Sequence, residues 1–329
     1  MNEDEATPRV GRAITLKSYA KINLSIDILG KLPNGYHRIR TVMQQIDLFD
    51  TVRVSLRRGG AGVRVTLSAQ TEGAGFEELP TDERNLAVRA ARAFFAAFAP
   101  QFCGSVAIRL RKRIPLAAGL AGGSGNAAAV LLALAKLCAP QETSLPDEAA
   151  DRLQSLMELG FRIGADVPFC VMGQAALQRA LGLQGGFAAA CALAEGMGEK
   201  LTPLPSLRGR VIVAKPAAAL STAAVYAGFD LSAVALRPDT EALVAGVKTG
   251  DSGQIRKNMI NVLEITVLKE YPEIADMKAR LAADERAECA LMSGSGSSVF
   301  AWYRDRTACE TAFNALRRTE SAVWMADLL

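Results

Sequence analysis

A chain of 329 residues is too long for one comfortable core and suits two domains packed across a cleft. Half of the residues are hydrophobic and 22% are charged, an ordinary globular composition that excludes intrinsic disorder. The net charge of +4 is spread along the chain without a run of Lys or Arg; this argues against nucleic acid as the main partner and leaves room for a basic cleft around an anionic ligand.

In chain order, Ile14 to Leu29 alternates as a strand and ends at the turn Lys31-Leu32-Pro33-Asn34-Gly35, where Pro and Asn-Gly are strong turn signals. Thr51 to Leu56 and Val63 to Leu67 are predicted strands around the Gly-rich turn Gly59 to Gly62. Asn85 to Phe98 carries apolar residues at helical spacing, and Val106 to Leu110 is a strand leading to Lys112-Arg113-Ile114-Pro115. Ala127 to Leu137 is almost wholly Ala, Leu and Val, the composition of a buried helix. Asp147 to Leu159 is an amphipathic helix stopped by Gly160, and Gln178 to Leu193 is a weakly patterned excursion. Pro203 and Pro205 mark a domain boundary, dividing the chain into 1–204 and 205–329. Beyond it come a strand at Arg210 to Ala214 and helices at Asp239 to Lys248, Ile255 to Leu268 and Pro272 to Ala283. A strand–Gly–strand feature spans Cys289 to Trp302, and a helix spans Arg306 to Arg317. Strands and helices come in blocks, not in strict alternation, so the fold class expected is α+β.

The six cysteines are scattered, form no C-x-x-C pair, and share the chain with a single histidine. Zinc ligand sets are therefore hard to assemble, and reduced thiols in a cytoplasmic protein are expected. Met1 to Arg12 lacks the apolar stretch of a signal peptide, and no apolar run reaches the length of about 20 residues that crosses a bilayer. No membrane partner is expected.

The most informative stretch is Pro115-Leu-Ala-Ala-Gly119-Leu-Ala-Gly122-Gly123-Ser124-Gly125-Asn126, which runs straight into the Ala-rich helix. A phosphate needs backbone N–H groups aimed at it, a close approach of main chain, and the positive end of a helix dipole. Glycines permit the first two and the helix start supplies the third, while Ser124 adds a hydroxyl for phosphate or magnesium. A flexible turn capped by Ser124 is the bland alternative, but the position before a buried helix favours an anion site. The loop has neither the G-x-x-x-x-G-K-[ST] nor the G-x-G-x-x-G pattern, so it is not of the Walker type and not a dinucleotide fingerprint.

Two further residues gain meaning beside that loop. Lys21 and Asn23 sit two apart in an apolar strand, hence on one face. Asp166 lies in Gly164-Ala165-Asp166-Val167-Pro168-Phe169, a small-residue turn predicted to lead into an apolar strand. Taken singly, they could be a snorkelling lysine and a turn-capping aspartate. Taken with the loop, they supply what a hydroxyl nucleophile needs, a carboxylate to take its proton and a cation to favour the alkoxide.

Tyr19-Ala20-Lys21-Ile22-Asn23-Leu24, Pro115 to Ala128, and Ser293-Gly294-Ser295-Gly296-Ser297-Ser298 resemble, in this order, the three motifs of the GHMP small-molecule kinases. Asn34-Gly35-Tyr36-His37, Gln44-Gln45-Ile46-Asp47-Leu48, Glu195-Gly196-Met197-Gly198-Glu199, Ser221-Thr222 and Tyr271-Pro272-Glu273-Ile274 narrow the likeness. They are similar to the branch that phosphorylates the 2-hydroxyl of a methylerythritol linked to cytidine diphosphate, in isoprenoid precursor synthesis. The resemblance covers nearly the whole chain and implies a two-domain fold with ATP and substrate in the cleft between the domains. It implies Asp166 as the base and Lys21 as the group that orients and polarises the hydroxyl, with Asn23, Tyr36 and His37 on the substrate. For ATP it implies Asn85 and Lys112 near the base. It further implies Pro115, Ala117, Ala118, Gly119, Leu120, Ala121, Gly122, Gly123, Ser124 and Gly125 as ATP-binding, with Gly119 to Ser124 on the triphosphate. ATP and Mg2+ are the cofactors expected, a molecule with a cytidine diphosphate group is the partner, and a monomer or homodimer the assembly.

Two departures from the family pattern stand out. Gly125 replaces a usual serine, which removes one hydroxyl from the loop, and Gln178 to Leu193 looks inserted close to Asp166. The segment reads as a surface loop, with a lid over the cleft as the alternative. A GHMP kinase of the homoserine or mevalonate type, and a nucleotide-binding sensor without catalysis, remain the other readings.

Overall fold

The computed structural model describes residues 11–33, 35–72, 79–183 and 187–329; Met1 to Val10, Asn34 of the first turn and residues 184–186 of the Gln178 to Leu193 segment lie outside the described residues. The chain opens with two long antiparallel strands, β1 (Arg12–Lys31) and β2 (His37–Arg58), paired from Arg12 with Leu56 to Lys31 with His37. Only Thr51 to Leu56 of β2 was legible as strand. Upstream, Gln44 and Asp50 are buried and break the apolar pattern. Each is paired at a distance: Gln44 donates to Leu207 O at 3.0 Å and accepts from Leu207 N at 2.8 Å.

The first sheet is completed by β3 (Val63–Thr71), β4 (Gly104–Lys112), β5 (Cys191–Gly196) and β6 (Lys200–Leu204) in the order β3-β4-β2-β5-β6, with β1 on the free side of β2. Against it lie α1 (Leu86–Phe98), α2 (Gly122–Leu137), α3 (Ala149–Phe161) and α4 (Val167–Leu177). Asn85 caps α1 by accepting from Ala87 N at 3.0 Å, a contact worth about 1 kcal/mol. Helix α2 is buried along one unbroken run from Gly125 to Leu134, as its composition requires.

Two readings need correction here. The apolar run after Asp166 is helix α4, not a strand, because a fully buried run carries no periodicity to tell the two apart. Gly160 lies inside α3 and does not end it; a side chain there would meet Val167 of α4.

The second sheet, in antiparallel order β10-β7-β9-β8, consists of β7 (Arg210–Ala214), β8 (Cys289–Met292), β9 (Val299–Tyr303) and β10 (Val323–Asp327). With it come α5 (Thr222–Ala227), α6 (Thr240–Thr249), α7 (Ser252–Asn258), α8 (Glu264–Glu270), α9 (Pro272–Ala282) and α10 (Arg306–Leu316). The helix expected over Ile255 to Leu268 is broken into α7 and α8. The intervening chain leaves to pair with β1, where Ile26 N donates to Ile260 O (2.9 Å) and Val262 N to Ile26 O (3.0 Å). The two sheets share a core in which Ala20, Ile22 and Leu24 of β1 meet Val211, Val213 and Phe300. That face alternation turns Lys21 and Asn23 the other way. The architecture is α+β, as the block order implied.

Among the described residues of the Gln178 to Leu193 segment, Arg179, Ala180, Gly182 and Phe187 are exposed, and others anchor it to the first sheet and its helices. Gln178 clasps the Lys17 backbone at both ends, accepting from its N and donating to its O at 3.1 Å each. Leu181 and Leu183 are buried in the first core, each contributing about 1.5–3 kcal/mol. Cys191 to Leu193 already belong to β5. The six cysteines are free thiols, and among the described residues no helix is long and apolar enough to cross a membrane.

Candidate active site

Lys21 is the centre of the site. Its ammonium is buried, donates to Asn23 Oδ1 at 2.6 Å and to Gly119 O at 2.9 Å, and lies 3.8 Å from Asp166 Oδ2. A snorkelling lysine would send that charge to water, and this one sends it inward. Asn23 is held in turn by Thr41, whose hydroxyl accepts from Nδ2 at 2.8 Å and donates to Ser25 O at 2.6 Å. Asp166 stands at the N-cap of α4 but its side chain makes no capping hydrogen bond. Its carboxylate is 40% exposed and faces Lys21 across the opening, so the turn-capping reading fails.

The Gly-rich loop arrives from β4. Lys21 N donates to Leu120 O at 3.1 Å, which ties the loop to β1. Gly119 has φ +70°, and a Cβ there would stand 2.1 Å from Ser293 O. Ala117 (φ +47°) and Ala121 (φ +55°) also adopt the left-handed region, at about 1–2 kcal/mol each. Such strain persists where the surroundings over-determine it, as at ligand clamps. Gly125 N donates to Ala121 O and begins the helical ladder of α2, so Gly122, Gly123 and Ser124 present N–H groups with no intrahelical partner. With the helix dipole behind them, these donors form an anion site.

Gly125 itself turns inward. A Cβ on it would lie 2.7 Å from Ser18 Oγ and 3.2 Å from Tyr19 O, and its carbonyl accepts from Gln174 Nε2 at 3.0 Å. The position lacks a hydroxyl on the packed side of the helix, not on the phosphate side. Gly125→Ser is therefore expected to leave the nucleotide KM within about twofold and to lower stability by about 1–3 kcal/mol, read as a drop in Tm.

Lys112 ends β4 where the Gly-rich loop begins. Its ammonium is buried beneath the loop, bonded to Asp50 Oδ2 and, at 3.0 Å, to Asn126 Oδ1. Asn126 donates onward to Ser18 Oγ (3.0 Å) and Asp50 Oδ2 (2.9 Å). Asp50 Oδ1 accepts from Arg113 N (2.7 Å) and Ile114 N (2.9 Å) at the corner where β4 becomes the loop. The side chain thus supports the loop from below. Asn85 spends its side chain on the α1 cap and, through Nδ2, on Pro80 O at 2.9 Å.

The third Gly/Ser stretch closes the cleft from the second sheet. Ser293 Oγ donates to Gly119 O at 3.0 Å and Ser298 N to Ala118 O at 3.3 Å. At the other end, Tyr36 is 64% exposed and His37 stands at the start of β2. Burial, then the charge of Lys31, pushes the His37 imidazole below its ordinary pKa, which favours the neutral ring. Its ring lies 5.4 Å from that of Tyr226 on α5. The Tyr226 hydroxyl is pushed above the usual phenol range by burial and then by the negative charge of Asp166. Neither Tyr226 nor α5 was found in the sequence, where six residues carry too short a pattern; the Ser221-Thr222 pair that opens the helix was the one available signal.

Comparison with known proteins gives the family and the fold. A family model described as the GHMP kinases N terminal domain matches residues 85–174, and one described as GHMP kinases C terminal matches residues 242–322. The 4-diphosphocytidyl-2-C-methyl-D-erythritol kinase of Alkaliphilus metalliredigens is 39% identical over 309 residues, covering 93% of both chains. That of Acetivibrio thermocellus is 37% identical, covering 94% of this chain and 96% of its own. A crystal structure of 4-(cytidine 5'-diphospho)-2C-methyl-D-erythritol kinase superposes with a TM-score of 0.70 at 29% identity, over 96% of this chain and 99% of the other. A homoserine kinase from Cytophaga hutchinsonii shares the fold, with a TM-score of 0.67 at 19% identity over 100% and 97% of the two chains.

Proposed function

The chain belongs to the GHMP kinases, within the 4-diphosphocytidyl-2-C-methyl-D-erythritol kinase family, and from that membership we propose the reaction and the roles of its residues. It transfers the γ-phosphoryl group of ATP to the 2-hydroxyl of 4-diphosphocytidyl-2-C-methyl-D-erythritol, in the cytoplasm, as a step of isoprenoid precursor synthesis. Residues 1–204 form the ATP-binding and catalytic domain and 205–329 the second wall of the cleft.

The observation that carries this reading is the 3.8 Å approach of Lys21 to the uncapped Asp166 beside the open start of α2. Asp166 takes the proton of the hydroxyl as its oxygen attacks the γ-phosphorus. The bond to the β-phosphate oxygen breaks and ADP leaves. Lys21, fixed by Asn23 and Gly119, steadies the developing alkoxide and the charge on the transferred group. The N–H groups of Gly122, Gly123 and Ser124 hold the phosphates.

Magnesium fits as an ion brought in on the nucleotide, where it would neutralise phosphate charge. Among the described residues no three His, Cys, Asp or Glu side chains gather into a metal-ligating group. The Ser124 hydroxyl is the protein oxygen that would complete its shell.

Tyr36, His37 and Tyr226 recognise the cytosine by stacking and by the two hydrogen-bonding edges of a neutral imidazole. Stacking of a base on an aromatic side chain is worth about 1–3 kcal/mol. Tyr36→Ala and His37→Ala are each expected to raise the KM of the cytidyl substrate by about 5- to 150-fold, with the ATP KM unchanged. Below the lowered pKa of His37 the ring gains a proton and loses its acceptor, so that KM also rises as pH falls.

The direct test is ADP release from ATP, magnesium and 4-diphosphocytidyl-2-C-methyl-D-erythritol, with CMP as competitor. Substrate-dependent release, slowed by CMP, is expected. Release with homoserine or mevalonate in its place, or none with any alcohol while ATP still binds, overturns the assignment.

A further inference from the structure

We infer that Asn261 is a positioning residue for phosphoryl transfer, holding the third Gly/Ser loop in the place that locks Gly119 and Lys21 together. The residue follows α7, is buried, and belongs to the stretch that breaks the helix to pair with Ile26, five residues beyond Lys21 on β1. Its side chain is fully used. Nδ2 donates to Met292 O at 2.9 Å and to Gly294 O at 2.8 Å, while Oδ1 accepts from Leu263 N at 3.1 Å. On the same loop, Glu264 Oε1 accepts from Met292 N at 2.7 Å and its other oxygen pairs with Lys278.

The loop so gripped carries Ser293, whose hydroxyl donates to Gly119 O, the carbonyl that also receives Lys21 Nζ. Gly294 lies closer still, since a Cβ on it would stand 3.3 Å from Lys21 Nζ and 3.0 Å from Gly119 O. Asn261 therefore joins β1, the phosphate loop and the third loop at one point: its backbone stretch is tied to β1 and its amide to the third loop. Its side chain is spent on Met292, Gly294 and Leu263, so it acts through Ser293, Gly119 and Lys21. The inference rests on the role proposed for Lys21, and a displacement of about 1 Å at such a group costs about 10² in rate.

Asn261→Asp is the discriminating variant, because it keeps the size and the acceptor for Leu263 N and replaces the donor with an oxygen facing two carbonyls. Expected are a kcat about 100-fold below wild type and KM values within about threefold for both substrates. The ratio of variant to wild-type kcat should recover as pH falls, when the protonated carboxyl can donate again. Hydrogen exchange should quicken at residues 117–121 as well as at 292–298. Leu281→Ala, a core deletion on α9 expected to lower Tm at least as much, should leave kcat unchanged.

A folded Asn261→Asp with near wild-type kcat, or a loss that Leu281→Ala reproduces, overturns the inference. Should Asn261→Asp not fold, Ser293→Ala removes the next link. It is expected to lower kcat about tenfold, and wild-type kcat there overturns the inference equally. Exchange is read without turnover, so unaltered exchange at 117–121 sinks the positioning role even if the wild type releases no ADP, a result that would bear on the proposed reaction instead.

Discussion

Asp166→Asn is expected to lower kcat by about 10²–10⁴-fold, the range lost with a general base, while changing the ATP KM little. The reasoning is geometric. The carboxylate caps no helix, so its loss removes no structural hydrogen bond, and the amide fits the same space. What disappears is the proton acceptor opposite Lys21. Tyr226 beside it loses the negative charge that helps raise its pKa, so a spectroscopic titration of that phenol should shift downward in the variant. Burst and steady-state ADP release separate the chemical step from nucleotide binding. Turnover within threefold of wild type would remove Asp166 from the mechanism.

The largest effect on stability is expected from Asp50→Ala, at about 3–5 kcal/mol. The substitution leaves the Lys112 ammonium buried with Asn126 as its one remaining side-chain partner, and removes the acceptor for Arg113 N and Ile114 N. Breaking a buried pair from one side costs more than the pair contributes when intact, because an uncompensated charge remains. Replacing both partners, as in Asp50→Ala with Lys112→Met, should therefore recover part of the loss, as read from denaturant midpoints. The same network frames the corner entering the phosphate loop, so the single variant should also raise the ATP KM. A stability change below 1 kcal/mol would mean that water reaches Lys112.

The corrections share a physical origin. The family resemblance implied Lys112 near the nucleotide base, yet its buried partner Asp50 is 62 residues away and comes beside it only through the pairing of β2 with β4. Gly125 looked like a lost hydroxyl because one-dimensional spacing does not say which side of α2 faces Ser18. The strand assigned after Asp166 and the missed burial of Leu181 and Leu183 have one reason. Apolar residues buried on every side have no amphipathic period, and Ala-Gly-Leu composition looks alike in a loop and in a core.

Local chemistry was enough wherever one short stretch carried its own reason. Glycines before an Ala-rich helix favour an anion site, and a period of two places Lys21 with Asn23 on one face of the strand. These consequences follow from backbone geometry within a few residues, so the sequence by itself determined the face of β1 that carries Lys21 and Asn23 and the α+β class. Only the tertiary structure decided that Lys21 meets Asp166, that Lys112 is a support, that Tyr226 stands beside His37, and that Asn261 joins three segments. Each of these depends on residues far apart in the chain that meet because two sheets bury a common core, and the energy of that burial comes from the whole interface, not from any stretch that a local pattern could reveal.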